Sequence, residues 1–224
     1  MQNVIEPIGY IRSAYKSKFG VPRQAGLADV SAVVEMLPEY GVPDAFRGLE
    51  EFSHIWLLWE FHQCNSDGWS PTVRPPKLGG NKRVGVFATR SPYRPNSIGL
   101  SCVKLDSVEC SGGTVVLHIT GADLMDGTPI YDIKPYLPYA DSRPDASGGF
   151  TDRLEQKLLD IKYDCPCIMP EDVRGQLDIA LSHDPRPSYH DDENRIYGMD
   201  FDEYNIRFTV NGNCVTVVEV RKLQ

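Results

Sequence analysis

The stretch of this chain best suited to bind an anion is residues 84–100, VGVFATRSPYRPNSIGL. Arg90 and Arg94 carry planar guanidinium groups, which donate paired hydrogen bonds to phosphates and carboxylates. Pro92 and Pro95 restrict the backbone around them, so ordering the loop on a ligand costs less conformational entropy. The sequence therefore predicts an arginine loop that belongs to an anion-binding site.

Three other stretches combine polar and aromatic side chains in a way that folding alone does not demand. Residues 19–24 place a proline before an arginine and a glutamine, and residues 54–63 are an apolar run that ends in a histidine and a glutamine. Residues 123–136 are dense in hydrogen-bonding side chains around a turn at residues 126–129, where glycine lets a ligand approach the backbone closely. These stretches are our candidates for the residues that carry chemistry.

Several kinds of enzyme site are not indicated by the sequence. It contains neither G-x-S-x-G nor H-E-x-x-H, and Gly79 and Gly80 lack the spacing of a dinucleotide-binding motif. Cys165 and Cys167 have no second close pair and no spaced histidines to complete four ligands, so we interpret them as part of a turn between helices and predict no metal. The six scattered cysteines are interpreted as reduced thiols.

Charge is distributed unevenly along the chain. The net charge is −8, yet residues 68–104 carry seven basic side chains and no acidic one, which leaves −15 for the rest. The seven are Arg74, Lys77, Lys82, Arg83, Arg90, Arg94 and Lys104. Such a concentration of like charge favours an anionic ligand, with a solvated basic face as the alternative.

Short runs of β-forming residues dominate the first 140 residues, with turn signals between them. The runs lie at residues 8–11, 30–37, 52–61, 84–88, 100–108, 114–119 and 130–133. Helix-length patterns are scarce in this part, which disfavours a parallel sheet with crossover helices. The pattern instead predicts a closed or strongly curled antiparallel sheet.

The composition changes near residue 140. Residues 141–149 are small, polar or Pro/Gly, as is typical of a linker, so we divide the chain into domains of residues 1–142 and 143–224. No apolar run approaches the ~20 residues that span a bilayer, and the N-terminus lacks the layout of a signal peptide. We therefore expect a cytoplasmic protein with no membrane partner.

The last third of the chain mixes helix and strand patterns. Residues 152–161 combine a capping box with helical apolar spacing, and residues 173–181 predict a second helix. Apolar residues alternate with polar ones at residues 206–210, which predicts a strand. Asn211-Gly212 is typical of a type I′ hairpin turn, and residues 215–220 are predicted to form the returning strand. This pattern predicts a small C-terminal α+β module.

The motifs at residues 21–24, 87–100 and 124–136 resemble those of the TsaA-like (YaeB) family, whose characterised bacterial members are TrmO-type tRNA methyltransferases. The resemblance covers about residues 5–140, and residues 184–187 with the final hairpin resemble the C-terminal extension of the bacterial enzymes. It implies a mainly β fold, a single-sheeted antiparallel β-barrel that binds S-adenosylmethionine without a Rossmann fold, and a homodimer. Residues 84–100 are then expected to be two barrel strands joined by the arginine loop.

The resemblance also implies a reaction and a set of contacts. The reaction is methyl transfer to the exocyclic nitrogen of the threonylcarbamoyl-adenosine beside the anticodon of threonine tRNA. The contacts with S-adenosylmethionine carried over by motif are Pro22, Arg23, Gln24, His62, Gln63, Arg90, Leu100, Asp126, Gly127, Thr128, Pro129 and Ile130.

A base and an RNA surface complete the expected site. Acyl substitution makes the target N–H more acidic, so His62 or Asp126 is a candidate base, although a lone histidine beside a core strand is more often structural. Lys82, Arg83 and Arg94 are expected to meet RNA phosphates. The rival interpretations are a non-enzymatic S-adenosylmethionine or anion sensor, and a hydrolase of a phosphorylated small molecule that rests only on the arginines.

Overall fold

Six strands of the N-terminal part form a closed antiparallel barrel in the computed structural model, which describes residues 4–64, 68–75, 78, 82–153, 157–186, 192–193 and 195–223. The barrel strands are β1 (Gly9–Ser13), β2 (Ser31–Met36), β3 (His54–Glu60), β6 (Ile98–Ser111), β7 (Thr114–Thr120) and β8 (Pro129–Pro135). Their order around the barrel is β1-β2-β7-β6-β3-β8. This confirms the predicted mainly β fold with a single-sheeted antiparallel barrel.

Apolar side chains fill the barrel because they alternate with polar ones along its strands. Strands β1, β3 and β7 alternate between buried and more exposed side chains, as a strand with one face toward a core must. Ile11, Val34, Leu57 and Leu117 are all fully buried in one cluster inside the barrel. Closure also pairs every barrel strand on both edges, so no edge is left to pair with another chain.

The arginine loop does not join two barrel strands, and this expectation was wrong. Residues 84–88 contain only the short strand β5 (Val84–Gly85), which pairs outside the barrel with β4 (Thr72–Val73), and then a 3-10 helix at Val86–Ala88. The reason is local, because Arg94 donates to the carbonyls of Val86, at 3.2 Å, and Thr89, at 2.7 Å, and this holds the chain in a turn. Only the far end of the segment enters the barrel, in β6.

A second sheet forms the C-terminal module. Its strands are β9 (Asp160–Tyr163), β10 (Tyr197–Phe201), β11 (Tyr204–Asn211) and β12 (Cys214–Lys222), in the order β10-β11-β12-β9. The helices are α1 (Pro138–Asp141), before the module, and α2 (Glu171–Ser182), and 3-10 turns lie at Pro43–Phe46, Leu49–Glu51 and Gly149–Arg153. Helix α2, the final hairpin with Gly212 at φ +56° and the α+β character of the module are as predicted.

The first predicted helix of the module was wrong. Residues 154–156 lie outside the described residues, but residues 160–163 form β9, which pairs in parallel with β12 so that Ile161 lies opposite Val215. Pairing with a distant strand outweighs the local helical spacing. As a result, Cys165 and Cys167 lie in a turn between a strand and a helix, not between two helices. All six cysteines lie in the described part of the chain and none is in a disulfide.

The loop between β1 and β2 connects the barrel to the module. Tyr15, directly after β1, forms an isolated bridge with Phe201 of β10, and Tyr15, Ala28 and Val30 are buried in the core of the module. The division at residue 142 stays a prediction, since the N-terminal loop contributes to both cores. Within the described residues, no helix is long and apolar enough to cross a membrane.

Candidate functional site

A cavity of about 210 Å³ opens at one end of the barrel, where three of its loops meet the end of β3. Its walls are Lys18, Val21, Trp59, Glu60, Phe61, His62, Gln63, Cys64, Pro92, Asp123, Met125 and Thr128. All four stretches that the sequence marked as candidates contribute to these walls. The cavity is therefore the candidate active site.

The end of β3 supplies the predicted contacts His62 and Gln63. Both side chains are exposed at the cavity wall, and the ammonium of Lys18 donates to the Gln63 carbonyl. Beneath them, the rings of Trp59 and Phe61 lie with centroids 4.3 Å apart. The wall is thus aromatic at depth and polar at its opening.

Hydrogen bonds join the predicted contacts of the β1–β2 loop to the arginine loop. Arg90 donates through Nη1 to Oε1 of Gln24, and the Gln24 amide donates to the Arg23 carbonyl. Arg23 donates through Nη2 to the carbonyl of Arg186 at 2.6 Å, and burial lowers the pKa of Arg23 while Asp184 acts against this change. These arginines are therefore anchored by protein acceptors in defined positions.

The turn at residues 126–130 uses its side chains for structure. Asp126 accepts the Ser13 N–H at 3.0 Å and pairs with the Lys16 ammonium at 3.1 Å, away from the walls of the cavity. Gly127 has φ +74°, which favours glycine, and the Thr128 hydroxyl donates to the Met125 carbonyl at 2.7 Å. Pro129 and Ile130 are buried at the start of β8. The two candidate bases, His62 and Asp126, are not brought together.

Among the predicted contacts, only His62, Gln63 and Thr128 are wall residues of the cavity, and Pro22 and Leu100 are two of those that lie outside the wall. Pro22 is partly buried in the β1–β2 loop, between wall residue Val21 and the anchored Arg23. Leu100 is 52% exposed on β6, opposite Leu58, and is not a wall residue. Leu100 thus belongs to the outer surface beside the site.

Sequence reasoning included Asp123 in a candidate stretch but gave it no individual role. Its carboxylate accepts the Ser101 hydroxyl, and that hydroxyl accepts the Trp59 indole N–H at 2.9 Å. Burial raises the pKa of Asp123, opposed by the hydrogen bond from Ser101, by backbone N–H groups including that of Ala25, and by the charge of Arg90. The available signal was Ser101, a hydroxyl at a buried position of β6 where the next two inward positions are the apolar Val103 and Leu105.

The predicted RNA contacts differ in whether their side chains already bind groups of the protein. Arg94 uses its guanidinium within its own loop and lies 5.3 Å from the centre of the Phe87 ring, and Arg83 donates to Oγ1 of Thr72 at 2.7 Å. Lys82 is exposed, and Lys77, also in the basic segment, lies outside the described residues. The RNA role of these side chains stays a prediction.

Exposed aromatic rings accompany the basic side chains. Trp69, Phe87 and Tyr93 are 53%, 70% and 47% exposed, and all three lie within residues 68–104. Exposed apolar side chains indicate a site of interaction where they form a contiguous patch. Basic groups next to exposed rings suit a nucleic acid with unstacked bases, because phosphates meet the charges and bases stack on the rings.

The C-terminal module packs against the β1–β2 loop. The Phe19 ring stacks on Tyr197 and Phe208, with centroids 6.0 and 6.2 Å away. Gly20 has φ +101° and faces Met199, so the loop turns tightly against β10. The module thus positions the loop that carries Arg23 and Gln24, a role that the sequence did not reveal.

Comparison with known proteins decides the family. Residues 10–142 match the family described as tRNA-methyltransferase O N-terminal domain, and residues 150–223 match the TrmO C-terminal domain. The chain belongs to the tRNA-methyltransferase O family. It is 45% identical over 225 residues to the tRNA (adenine(37)-N6)-methyltransferase of Escherichia coli (strain K12), with 92% of each chain covered.

Two further relatives agree with membership of the tRNA-methyltransferase O family. A protein of Pseudomonas aeruginosa named putative S-adenosylmethionine-dependent methyltransferase RcsF is 41% identical over 209 residues, with 89% of each chain covered. A solved structure titled "Crystal structure of TrmO" superimposes with a TM-score of 0.79 at 33% identity, and it covers 98% of this chain and 99% of its own. The likeness extends through both the barrel and the module.

Proposed function

We propose that this S-adenosylmethionine-dependent tRNA methyltransferase methylates the exocyclic nitrogen of threonylcarbamoyl-adenosine next to the anticodon of threonine tRNA. The observation that carries the proposal is the cavity itself, which combines aromatic walls, two carboxylates and the Lys18 ammonium, and whose wall includes Pro92 of the acid-free basic segment at residues 68–104. The family assignment supports an enzyme over the non-enzymatic sensor. The hydrolase reading has no support beyond the arginines.

The residues at the cavity fit the methyl donor. S-adenosylmethionine supplies an electrophilic methyl group on a sulfonium cation. Trp59, Phe61 and Met125 offer apolar surface for its adenine and thioether-like parts. His62, Gln63 and the backbone at residues 126–130 would hold its polar groups. Gln24 and Arg90 would complete the rim.

One cationic side chain of the wall, Lys18, matches the charge of the proposed acceptor. A threonylcarbamoyl group ends in a carboxylate, and the Lys18 ammonium lies in the cavity wall where it would meet that group. An unmodified adenosine lacks the carboxylate and gains nothing from this contact. Lys18 therefore supports a preference for the modified base.

The proposed RNA surface is the basic segment around Phe87. Exposed Lys82 and Arg83 would meet phosphates of the anticodon loop, and the exposed rings would stack on its unpaired bases. Since tRNA is found in the cytoplasm, the proposal includes a cytoplasmic location. It also includes the homodimer, for which light scattering should give twice the chain mass of 25.1 kDa.

The test of the function uses two forms of threonine tRNA. The purified protein is incubated with methyl-labelled S-adenosylmethionine and with transcript tRNA or the same tRNA carrying threonylcarbamoyl-adenosine. We expect label only in the modified nucleoside, identified by mass spectrometry after digestion. Equal labelling of both forms would contradict the proposed acceptor, and labelling of neither would contradict the function.

A further inference from the structure

Asp123 is a carboxylate of the cavity wall whose orientation is fixed by its neighbours. Ser101 donates its hydroxyl to Oδ1 of Asp123, and Trp59 donates to Ser101 at 2.9 Å, so two adjacent barrel strands hold the group. Ser101 is 1% exposed and Trp59 5% exposed, which leaves this chain little room to move. A chain of two donors ending at a carboxylate in a cavity is the arrangement of an oriented base.

We propose that Asp123 accepts the proton that the target nitrogen loses during methyl transfer. This inference rests on the proposed function, because the proton belongs to that substrate. It replaces His62 and Asp126 as candidate bases with a residue that neither the motifs nor the comparisons assign. The reasons are geometric, and they concern what each of the three side chains contacts.

The two earlier candidates are less suited to this role. Asp126 gives its carboxylate to Ser13 and Lys16, outside the cavity wall. His62 is exposed at the opening, and among the described residues no side-chain hydrogen bond is found that orients its ring. A base must be both within reach of the proton and held in position. Asp123 alone among these three lies in the wall and is held there.

The environment of Asp123 gives it the strength of a useful base. Burial raises its pKa, so its carboxylate has a higher affinity for a proton than that of an exposed aspartate, while the hydrogen bond from Ser101 and the charge of Arg90 favour the charged form. Tyr15 cannot compete, because burial and the nearby Asp123 raise the pKa of its hydroxyl. Among the described residues, Arg90 and Tyr15 interact electrostatically with Asp123, and the titratable groups that share its cavity wall are Lys18, Glu60, His62 and Cys64.

The proposed step balances without another reactant. The lone pair of the exocyclic nitrogen forms a bond to the methyl carbon, and the carbon–sulfur bond breaks with its electron pair retained on sulfur. The proton of that nitrogen passes to the Asp123 carboxylate, which later releases it to water through the opening. The positive charge on sulfur and the negative charge on Asp123 disappear together, so the cavity does not accumulate charge.

The experiment measures single-turnover methyl transfer against pH, at saturating S-adenosylmethionine and modified tRNA. In the wild type, the logarithm of the rate should rise with pH with unit slope and then level, since the anion is the active form. Asp123→Asn keeps an acceptor for Ser101 but not the base. It should lower the plateau roughly 100-fold or more, remove the rising limb and change the dissociation constant for S-adenosylmethionine by less than about threefold.

Comparison variants make the result specific to Asp123. Asp44→Asn removes an exposed carboxylate that pairs with Arg47 and should behave as the wild type. Asp126→Asn should lower the rate by the same factor at every pH, so that the rate still rises with pH as in the wild type. Ser101→Ala should keep the rising limb but move it to higher pH. The hydrogen bond from Ser101 lowers the pKa of Asp123, so losing it raises that pKa. Calorimetric binding of S-adenosylmethionine shows that each variant is folded.

Three outcomes would overturn the inference. The first is an Asp123→Asn rate within threefold of the wild type. The second is an Asp123→Asn variant that binds S-adenosylmethionine much more weakly but has the wild-type rate at saturation, which would make Asp123 a binding residue. The third is loss of the limb in the His62→Gln, Glu60→Gln or Asp126→Asn variant instead. Failure of the proposed function is distinct, because it shows in the wild type as transfer to no tRNA or to unmodified tRNA only.

Discussion

The substitution Gly99→Ala should disrupt the cavity wall from the neighbouring strand. Gly99 lies opposite Trp59 in the pairing of β6 with β3, and a methyl group on it would come within 2.3 Å of indole Cε2 and 2.6 Å of Cδ2. A rigid ring in contact with Phe61 cannot yield as a flexible side chain would. Displacing it removes the hydrogen bond to Ser101 and with it the fixed position of Asp123.

The size of the effect follows from these contacts. Overpacking of a core costs about 1 to 3 kcal/mol, and the lost hydrogen bond adds roughly 1 kcal/mol. For a chain of this length the sum corresponds to a fall in melting temperature of about 5 to 15 °C. Misplacing a catalytic group by about 1 Å costs on the order of 100-fold in rate, so methyl transfer should fall more than stability alone explains.

Scanning calorimetry and single-turnover methyl transfer check the prediction, with Gly198→Ala as the control. Gly198 is also a strand glycine, but an added methyl group there would meet only the Ile206 carbonyl oxygen at 4.0 Å. The control should melt within about 2 °C of the wild type and transfer methyl at its rate. If Gly99→Ala behaves in the same way, Trp59 does not hold the wall as described.

Three other substitutions test separate parts of the site. Arg90→Ala breaks the link to Gln24 and should weaken S-adenosylmethionine binding about tenfold by calorimetry; unchanged affinity would remove Arg90 from the cofactor contacts. Arg83→Ala should weaken tRNA binding and lower its salt-dependence slope by about 1 with cofactor affinity unaltered, and a slope equal to that of the wild type would argue against a phosphate contact. Phe19→Ala removes the stack on Tyr197 and Phe208. It should raise the dissociation constant for S-adenosylmethionine roughly tenfold, equivalent to about 1.4 kcal/mol, and normal affinity would show that the module does not position the loop.

Local sequence pattern predicted the elements whose structure depends on alternating apolar residues or on turn-forming residues. Strands β2, β3 and β7 were predicted within a few residues because their inward positions are apolar. The final hairpin was predicted because Gly212 favours a tight turn, although the two turn residues are Gly212 and Asn213 and not Asn211 and Gly212. The pattern failed at β9, whose four residues become a strand through pairing with β12. It also failed at the arginine loop, because the hydrogen bonds of Arg94 to backbone carbonyls depend on a fold that spacing does not encode.

The sequence indicated which stretches would lie near the cavity but not their geometry, and the individual contacts stay predictions. The candidate motifs do meet at one cavity, since each stretch combined polar groups with turn residues beyond the needs of folding. Which carboxylate faces the cavity depends on how the β7–β8 loop turns. That loop directs Asp123 to Ser101 and the cavity, and it directs Asp126 to Lys16. No periodicity distinguishes two aspartates three residues apart in a loop.

The measurement that tests the account most directly is the position of the methyl group in tRNA. Threonine tRNA with and without threonylcarbamoyl-adenosine is treated with the protein and S-adenosylmethionine, digested, and analysed by mass spectrometry. The account predicts a mass gain of one methyl group on the modified adenosine, located on its exocyclic nitrogen. A methyl group on another nucleoside, or equal methylation of the unmodified tRNA, would contradict it.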